Sequence, residues 1–207
     1  MTASSLPLPA ALQARHLREA ALMLGRAFHD DPLITHLLPD PARRGREAPG
    51  FLGGLARCCL AYGEVHAAPG LAGVACWLPP GEHATTWRHL RTGGLAVPRQ
   101  LGGAGLRRVL AVQAYLGREH ARHAPGPHWY LYLLGVEPAC QGRGVGRALL
   151  SPSLARADAQ GVACYLETQN PRNVGFYERQ GFRVTSDGQV PGTALRVWTM
   201  RRDPALR

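Results

Sequence analysis

The chain has 207 residues, of which 45% are hydrophobic and 18% charged, with a net charge of +10. These values suit one soluble domain over residues 1–207 that buries roughly 70% of its unfolded surface. No apolar run approaches the roughly 20 residues of a membrane-spanning helix, so no membrane partner is expected. The first residues lack the charged start and long apolar core of a signal peptide. The five cysteines are odd in number and form no Cys-x-x-Cys pair, which reads as thiols in a reducing, cytoplasmic setting, mostly buried. All 24 basic residues are arginine. This uniformity reads as compositional bias and a solvated basic face. The arginines are scattered, with no basic helix and no RNA-binding aromatic motif, so a nucleic-acid partner is not expected.

In chain order, residues 10–14 predict a short strand. Residues 17–29 predict an amphipathic helix with Leu17, Ala20, Ala21, Leu24, Ala27 and Phe28 on one face. Asp31-Pro32 ends it, and 33–38 form a helical turn. A second helical region covers 41–62 despite Gly45, Pro49 and Gly50, best formed over 51–60. Residues 64–67 and 71–78, divided by Pro69-Gly70, predict a hairpin. The stretch 79–127 holds helices at 84–91 and 106–123 around a Gly-rich interval at 93–105. A strand at 128–136, a helix at 145–160, a strand at 163–168 and a helix at 171–180 follow. Strands at 182–185 and 194–200 close the chain. No repeat is present.

The strand over 128–136 stops at Glu137-Pro138 and meets a Gly-rich turn, then a helix. The first turn of a helix carries N–H groups without intrahelical partners and a partial positive charge, a ready site for phosphate. Gly142, Gly144 and Gly146 let the backbone approach a bulky anion. The spacing is neither Gly-x-Gly-x-x-Gly nor a P-loop. A second motif runs from Asn170 to Phe182. Asn170-Pro171 is a good helix start, and Gly181 suits the left-handed residue that follows a helix.

Gln141-x-x-Gly144-x-Gly146 directly after strand-Val-x-Pro resembles the coenzyme A pyrophosphate loop of the GNAT acetyltransferase superfamily. Asn170, Phe176, Tyr177, Gly181 and Phe182 fit a second pattern of the same superfamily. The resemblance implies an α/β (α+β) fold: a mixed, mostly antiparallel sheet with splayed fourth and fifth strands, flanked by helices. Residues 128–200 would form the acetyl-CoA-binding core, and 79–127 a variable helical insert that shapes the acceptor pocket. Residues 165–185, with 188–192 and 196–200, look like puromycin N-acetyltransferase and its relatives. That likeness implies acetyl transfer to a small-molecule amine of antibiotic or xenobiotic type. A peptide or protein amine is the alternative acceptor on this fold. A module that binds acyl-CoA or nucleic acid without turnover is the other reading. Homodimers are common among such folds.

By the resemblance, Gly142, Arg143, Gly144, Val145, Gly146 and Arg147 would hold the pyrophosphate through their amides, with Gln141 beside them. The pantetheine arm would run along Leu134, Gly135 and Val136. Asn170, Asn173 and Phe176 would also contact the cofactor, although both asparagines equally suit helix capping. A backbone N–H near Leu134 would meet the developing oxyanion, and Gly135 would permit a bulge there. Tyr177 is the candidate general acid, or else an aromatic that packs its helix on the sheet. Glu167, on the strand face opposite Leu166, is the candidate base or an arginine-paired glutamate. His128 could line the cleft. Asp31 could bind a cationic amine or simply close a helix. Trp77 and Trp129 read as core. Glu119, His120 and His123 read as a solvated helix face, and no metal site is expected.

Overall fold

The computed structural model describes residues 8–82 and 86–205. The opening residues 1–7, and residues 84–85 of the helix expected over 84–91, lie outside them. Seven strands form one sheet in the order β1-β2-β3-β4-β5-β7-β6. They are β1 (Ala10–Ala11), β2 (Glu64–Ala67), β3 (Gly73–Leu78), β4 (His128–Val136), β5 (Ala163–Thr168), β6 (Arg183–Gln189) and β7 (Arg196–Arg202). Every neighbouring pair is antiparallel except β4 and β5, which run parallel. The helices are α1 (Leu17–Ala27), α2 (Pro32–Leu37), α3 (Pro41–Tyr62), α4 (Thr86–Arg91), α5 (Val97–His123), α6 (Val145–Gln160) and α7 (Pro171–Glu178). None among the described residues is long and apolar enough to cross a membrane.

Helices cover both faces of the sheet. Alternation along β3 divides its side chains: Val74, Cys76 and Leu78 join Leu24, Leu52 and Ile34 of α1–α3, while Ala75 and Trp77 join Leu149 and Leu150 of α6. A strand covered on both faces reads as one continuous apolar run, as Gly73–Leu78 does. Each fully buried leucine, such as Leu24 or Leu149, contributes about 2 kcal/mol of burial energy.

Several elements differ from the sequence expectations. The first strand is only Ala10–Ala11, because a 3₁₀ turn takes over at Ala14–His16. α3 is continuous from Pro41 to Tyr62, although Pro49 removes one helical donor. Packing on α1 outweighs that loss. A Cβ at Gly25 would lie 2.5 Å from Pro49 Cγ, and one at Gly53 would lie 2.7 Å from Ala21 Cβ, so these glycines let the two helices approach closely. α5 begins at Val97 and runs through most of the interval expected to be irregular, broken only at Gly102, where φ is 68° and ψ is 175°. The first closing strand is longer than expected, at Arg183–Gln189, and the second is shifted by two residues at its expected length, at Arg196–Arg202.

Candidate active site

β4 and β5 pair only from His128↔Ala163 to Leu131↔Leu166. β4 then continues to Val136 and β5 to Thr168 without pairing to each other. A wedge therefore opens between them, and the β5-facing backbone groups of residues 132–136 have no strand partner. Unpaired backbone donors and acceptors of this kind bind an extended ligand as a strand would.

The register against β3 slips once, between Cys76↔Leu133 and Trp77↔Leu131. Tyr132 is thus the extra residue of a bulge. The bulge expected at Gly135 is not there; Gly135 pairs regularly with Val74. What requires glycine at that position is α1, since a Cβ would meet Leu24 Cδ2 at 2.6 Å and Phe28 Cε2 at 3.0 Å. The bulge changes which face the later residues take. Trp129 and Leu131 before it, and Leu134 and Val136 after it, all pack on the α6 side. Tyr130, Tyr132 and Leu133 pack on the α1–α3 side.

Beyond β4, a 3₁₀ turn (Pro138–Cys140) leads into the loop. Gly142 and Gly144 hold φ of 73° and 82°, values that side-chain-bearing residues rarely adopt. Gly144 is the N-cap of α6, and without a side chain it caps nothing. The amides of residues 145–147 are left facing outward at the positive end of a 16-residue helix. The Gln141 side chain donates to the Val136 carbonyl at 3.1 Å, which ties the loop to the strand end.

This loop floors a cleft of about 1180 Å³. Leu134, Gly135, Val136, Gln141, Gly142, Gly144, Val145, Gly146 and Arg147 line it from β4, the loop and α6; Asn170, Asn173, Phe176 and Tyr177 line it from α7, and Asp31 from the α1–α2 turn. Arg143 lies on the same loop, exposed, and does not line the cleft. Arg26, Arg172 and Arg179 add positive charge to the walls. Arg26 also pairs with Glu137 at 2.7 Å, an exposed pair of small energetic value.

Asn170 caps α7 by accepting from the Arg172 amide at 3.1 Å, and the Asn173 side chain donates to Thr168 Oγ1 at 3.4 Å. Both therefore hold α7 in place as well as lining the cleft. Phe176 packs against Gly146, where a Cβ would come within 3.2 Å of its ring. Tyr177 is 7% exposed and packs between Phe176 and Phe182 at centroid distances of 5.1 and 5.9 Å. Burial, reinforced by the Asp31 charge, raises its phenol well above the ordinary value. Asp31 caps α2 by accepting from the Leu33 amide at 2.9 Å, and burial lifts its carboxyl to about 6. Buried Arg44 steadies the chain nearby, donating to the Leu38 and Pro39 carbonyls at 2.8 and 3.1 Å.

Glu167 and His128 do not line this cleft. They face a second cavity of about 630 Å³ on the α5 side of the sheet, with Tyr130, Tyr132 and His120. The alternation that buries Leu166 under α6 turns Glu167 the other way. Its side chain is only 4% exposed. Tyr130 Oη donates to Glu167 Oε2 at 2.5 Å, and Glu167 Oε1 is buried with no hydrogen bond. Burial pushes this carboxyl up to about 7, opposed by the nearby phenols of Tyr130 and Tyr165.

Glu119, His120 and His123 do not form the solvated face expected of them. They turn inward against the sheet, with side chains 15–19% exposed. His120 Nδ1 lies 3.8 Å from Glu167 Oε1, and its Nε2 lies 2.7 Å from His128 Nε2. His128 Nδ1 is 2.7 Å from the Gly126 carbonyl, which can only accept, so that nitrogen carries a proton. Glu119 accepts from Ser186 at 2.9 Å. Tyr130, Tyr132 and Tyr165 were not named as site residues from the sequence, and His120 was read only as part of a solvated helix face. The signal available was alternation, which puts Tyr165 on the face of Glu167.

The model of the Acetyltransferase (GNAT) family matches residues 72–182. An uncharacterized N-acetyltransferase of Schizosaccharomyces pombe is 27% identical over 182 residues, covering 83% of this chain and 72% of that protein. Among solved structures, histone acetyltransferase HPA2 and related acetyltransferase of Corynebacterium glutamicum superposes with a TM-score of 0.67 at 22% identity, covering 98% of this chain and 99% of that one. Arylalkylamine N-acetyltransferase 2 of Aedes aegypti gives 0.61 at 12% identity, covering 95% and 98%. These likenesses show the same fold, with its parallel β4–β5 pair in a mixed sheet. With more than half of its length matched by the family model, the chain belongs to the GNAT family of acetyltransferases.

Proposed function

We propose that the protein transfers an acetyl group from acetyl-CoA directly to the primary amine of a small molecule, with both bound at once. The observation that carries this reading is that two cavities of opposite chemistry are lined from successive parts of one strand. Leu134–Val136 line the cationic cleft, and Tyr130 and Tyr132 line the cavity that holds Glu167. Amine acetyltransferases among proteins of like fold add weight to a small-molecule amine as acceptor.

The residues fit acetyl-CoA. Its pyrophosphate suits the uncapped amides of residues 145–147, with Arg147, Arg172 and Arg179 around them. The amide-bearing pantetheine arm suits the unpaired edge of β4 beyond Leu131. The bound donor supplies an activated thioester. On this reading a β4 N–H near Leu134 faces the oxygen on which charge develops. Glu167 takes the amine proton on a carboxylate oxygen; with its carboxyl near 7 it is a base matched to neutral pH. The Tyr177 hydroxyl gives its proton to the departing thiolate, and burial beside Asp31 keeps that hydroxyl protonated until then. Four of the five cysteines are buried and the fifth, Cys140, sits in the turn before the loop, which favours direct transfer over a covalent cysteine route. Gln113, Leu116 and His120 of α5 line the second cavity, so the insert over 79–127 shapes the acceptor side.

Thiol release from acetyl-CoA, measured against a panel of primary amines and short peptides, tests this function. Turnover with a small amine supports it. Turnover confined to peptides, or tight acetyl-CoA binding without turnover on any acceptor, overturns it.

A further inference from the structure

The second cavity has a composition that narrows the acceptor. Two of its walls are aromatic on the β4 side, Tyr130 and Tyr132, with their ring centroids 5.4 Å apart and nearly perpendicular. His120 and His128 continue the ring surface, at 4.8 Å from one another. Tyr165 lies behind them, fully buried, with its ring 4.5 Å from His120. Leu116, Ala121, Pro125 and Pro127 complete an apolar rim.

Only two carboxylates line the cavity among the described residues, Glu167 and Glu82. They are not equivalent. Glu82 is more than a third exposed and is already paired with Arg88. Glu167 is buried, and its Oε1 lacks a hydrogen bond. Tyrosine faces attract a cation through their ring quadrupoles and take up an apolar or aromatic body beside it. A second ammonium carried inward along a linear chain would find no uncompensated anion, and an unpaired buried charge is costly. The volume of about 630 Å³ is that of a site for a small organic ligand rather than for ammonia or methylamine.

We propose that this cavity selects a primary monoamine on an aromatic body, one positive charge beside ring surface, over linear diamines and polyamines. The inference rests on the reading of Glu167 as the group that receives the amine. Written through, the ammonium enters paired with the Glu167 carboxylate and yields one proton to it. The neutral nitrogen then forms the bond to the acetyl carbon as the thioester carbon–sulfur bond breaks; the Tyr177 hydroxyl gives its proton to the leaving thiolate, and the proton shed by the new amide nitrogen passes through solvent to restore Tyr177.

The test compares kcat/KM for 2-phenylethylamine, agmatine and spermidine at saturating acetyl-CoA. At least a tenfold preference for 2-phenylethylamine is expected, and equal or better turnover of agmatine or spermidine overturns the proposal. Gln113→Glu places a second carboxylate at the rim of the cavity, where Gln113 is exposed. The ratio of 2-phenylethylamine to agmatine should fall at least threefold in that variant, and an unchanged ratio in a folded protein removes this cavity as the selector. Should no amine be acetylated, calorimetric binding of the same three amines still decides. Preference for 2-phenylethylamine, lost in Glu167→Gln, upholds the selective cavity while the transfer reading fails. No amine binding overturns both.

Discussion

The Tyr130 hydroxyl of β4 reaches across to β5 and donates a 2.5 Å hydrogen bond to Glu167 Oε2, just where the two strands stop pairing. A donor aimed at a carboxylate favours the ionised form, so this bond holds the Glu167 carboxyl below where burial alone would put it. Tyr130→Phe removes the donor and should raise the carboxyl further. The acidic limb of kcat/KM against pH, expected near 7 in the native protein, should move up by about one pH unit. A limb that stays in place would show that another group produces it.

The same carboxyl sets a pH dependence of stability. In the unfolded chain it titrates near 4.5, and in the folded protein at about 7. The fold is therefore favoured by the protonated form. That contribution is complete below about pH 4.5 and is lost as the pH rises through 7, where burying the charge costs roughly 3 kcal/mol. Glu167→Gln keeps the shape without the charge. It should unfold at higher urea than the native protein at pH 8, with the difference shrinking toward pH 5. Equal midpoints at pH 8 would mean that the carboxylate is stabilised by contacts beyond those described.

Tyr177 stands against Phe176 and Phe182 in the cleft with its phenol shifted upward. Tyr177→Phe preserves that packing and removes only the hydroxyl. Turnover should fall at least tenfold while acetyl-CoA affinity changes less than threefold. Unchanged turnover would leave Tyr177 as a packing residue.

Gly135→Ala would drive a methyl group into Leu24 and Phe28. Overpacking of this kind costs about 1–3 kcal/mol. Relief comes from displacing the ends of Leu24 and Phe28 or from α1 moving away from β4, and either disturbs the cleft wall, which Phe28 lines. A lower unfolding midpoint together with weaker acetyl-CoA binding is expected; a native midpoint would show that α1 yields freely.

The cleft with the glycine loop was legible because it is local. A Gly-rich turn after a strand, Asn170 before Pro171 and Gly181 after a helix each act within a few residues. Gly181 has φ of 87° and Asn170 caps α7, as their types require. The second cavity was not legible because it is assembled at long range. His120 meets His128 only because α5 packs under the sheet, and helical periodicity alone could not say which face of α5 turns inward. The bulge at Tyr132 leaves no turn residue behind as a marker, whereas Gly135, the obvious suspect, is dictated by a neighbouring helix. Likewise α3 and α5 contain enough glycine and proline to look broken, and only contacts with other elements keep them helical. Tyr177 and Glu167 were both expected in one site, yet nothing in their spacing foretold that they line different cavities.

The extra residue in β4 makes that strand two independent half-sentences. Before Tyr132 its side chains set the character of one cavity, and after it the phase has been reset, so Leu134 and Val136 keep their orientation whatever stands at Tyr130 or Tyr132. The aromatic walls and the glycine-loop cleft are therefore separable along one strand. Under the proposed function, a substitution at Tyr130 or Tyr132 would alter the acceptor side and leave the donor side as it is.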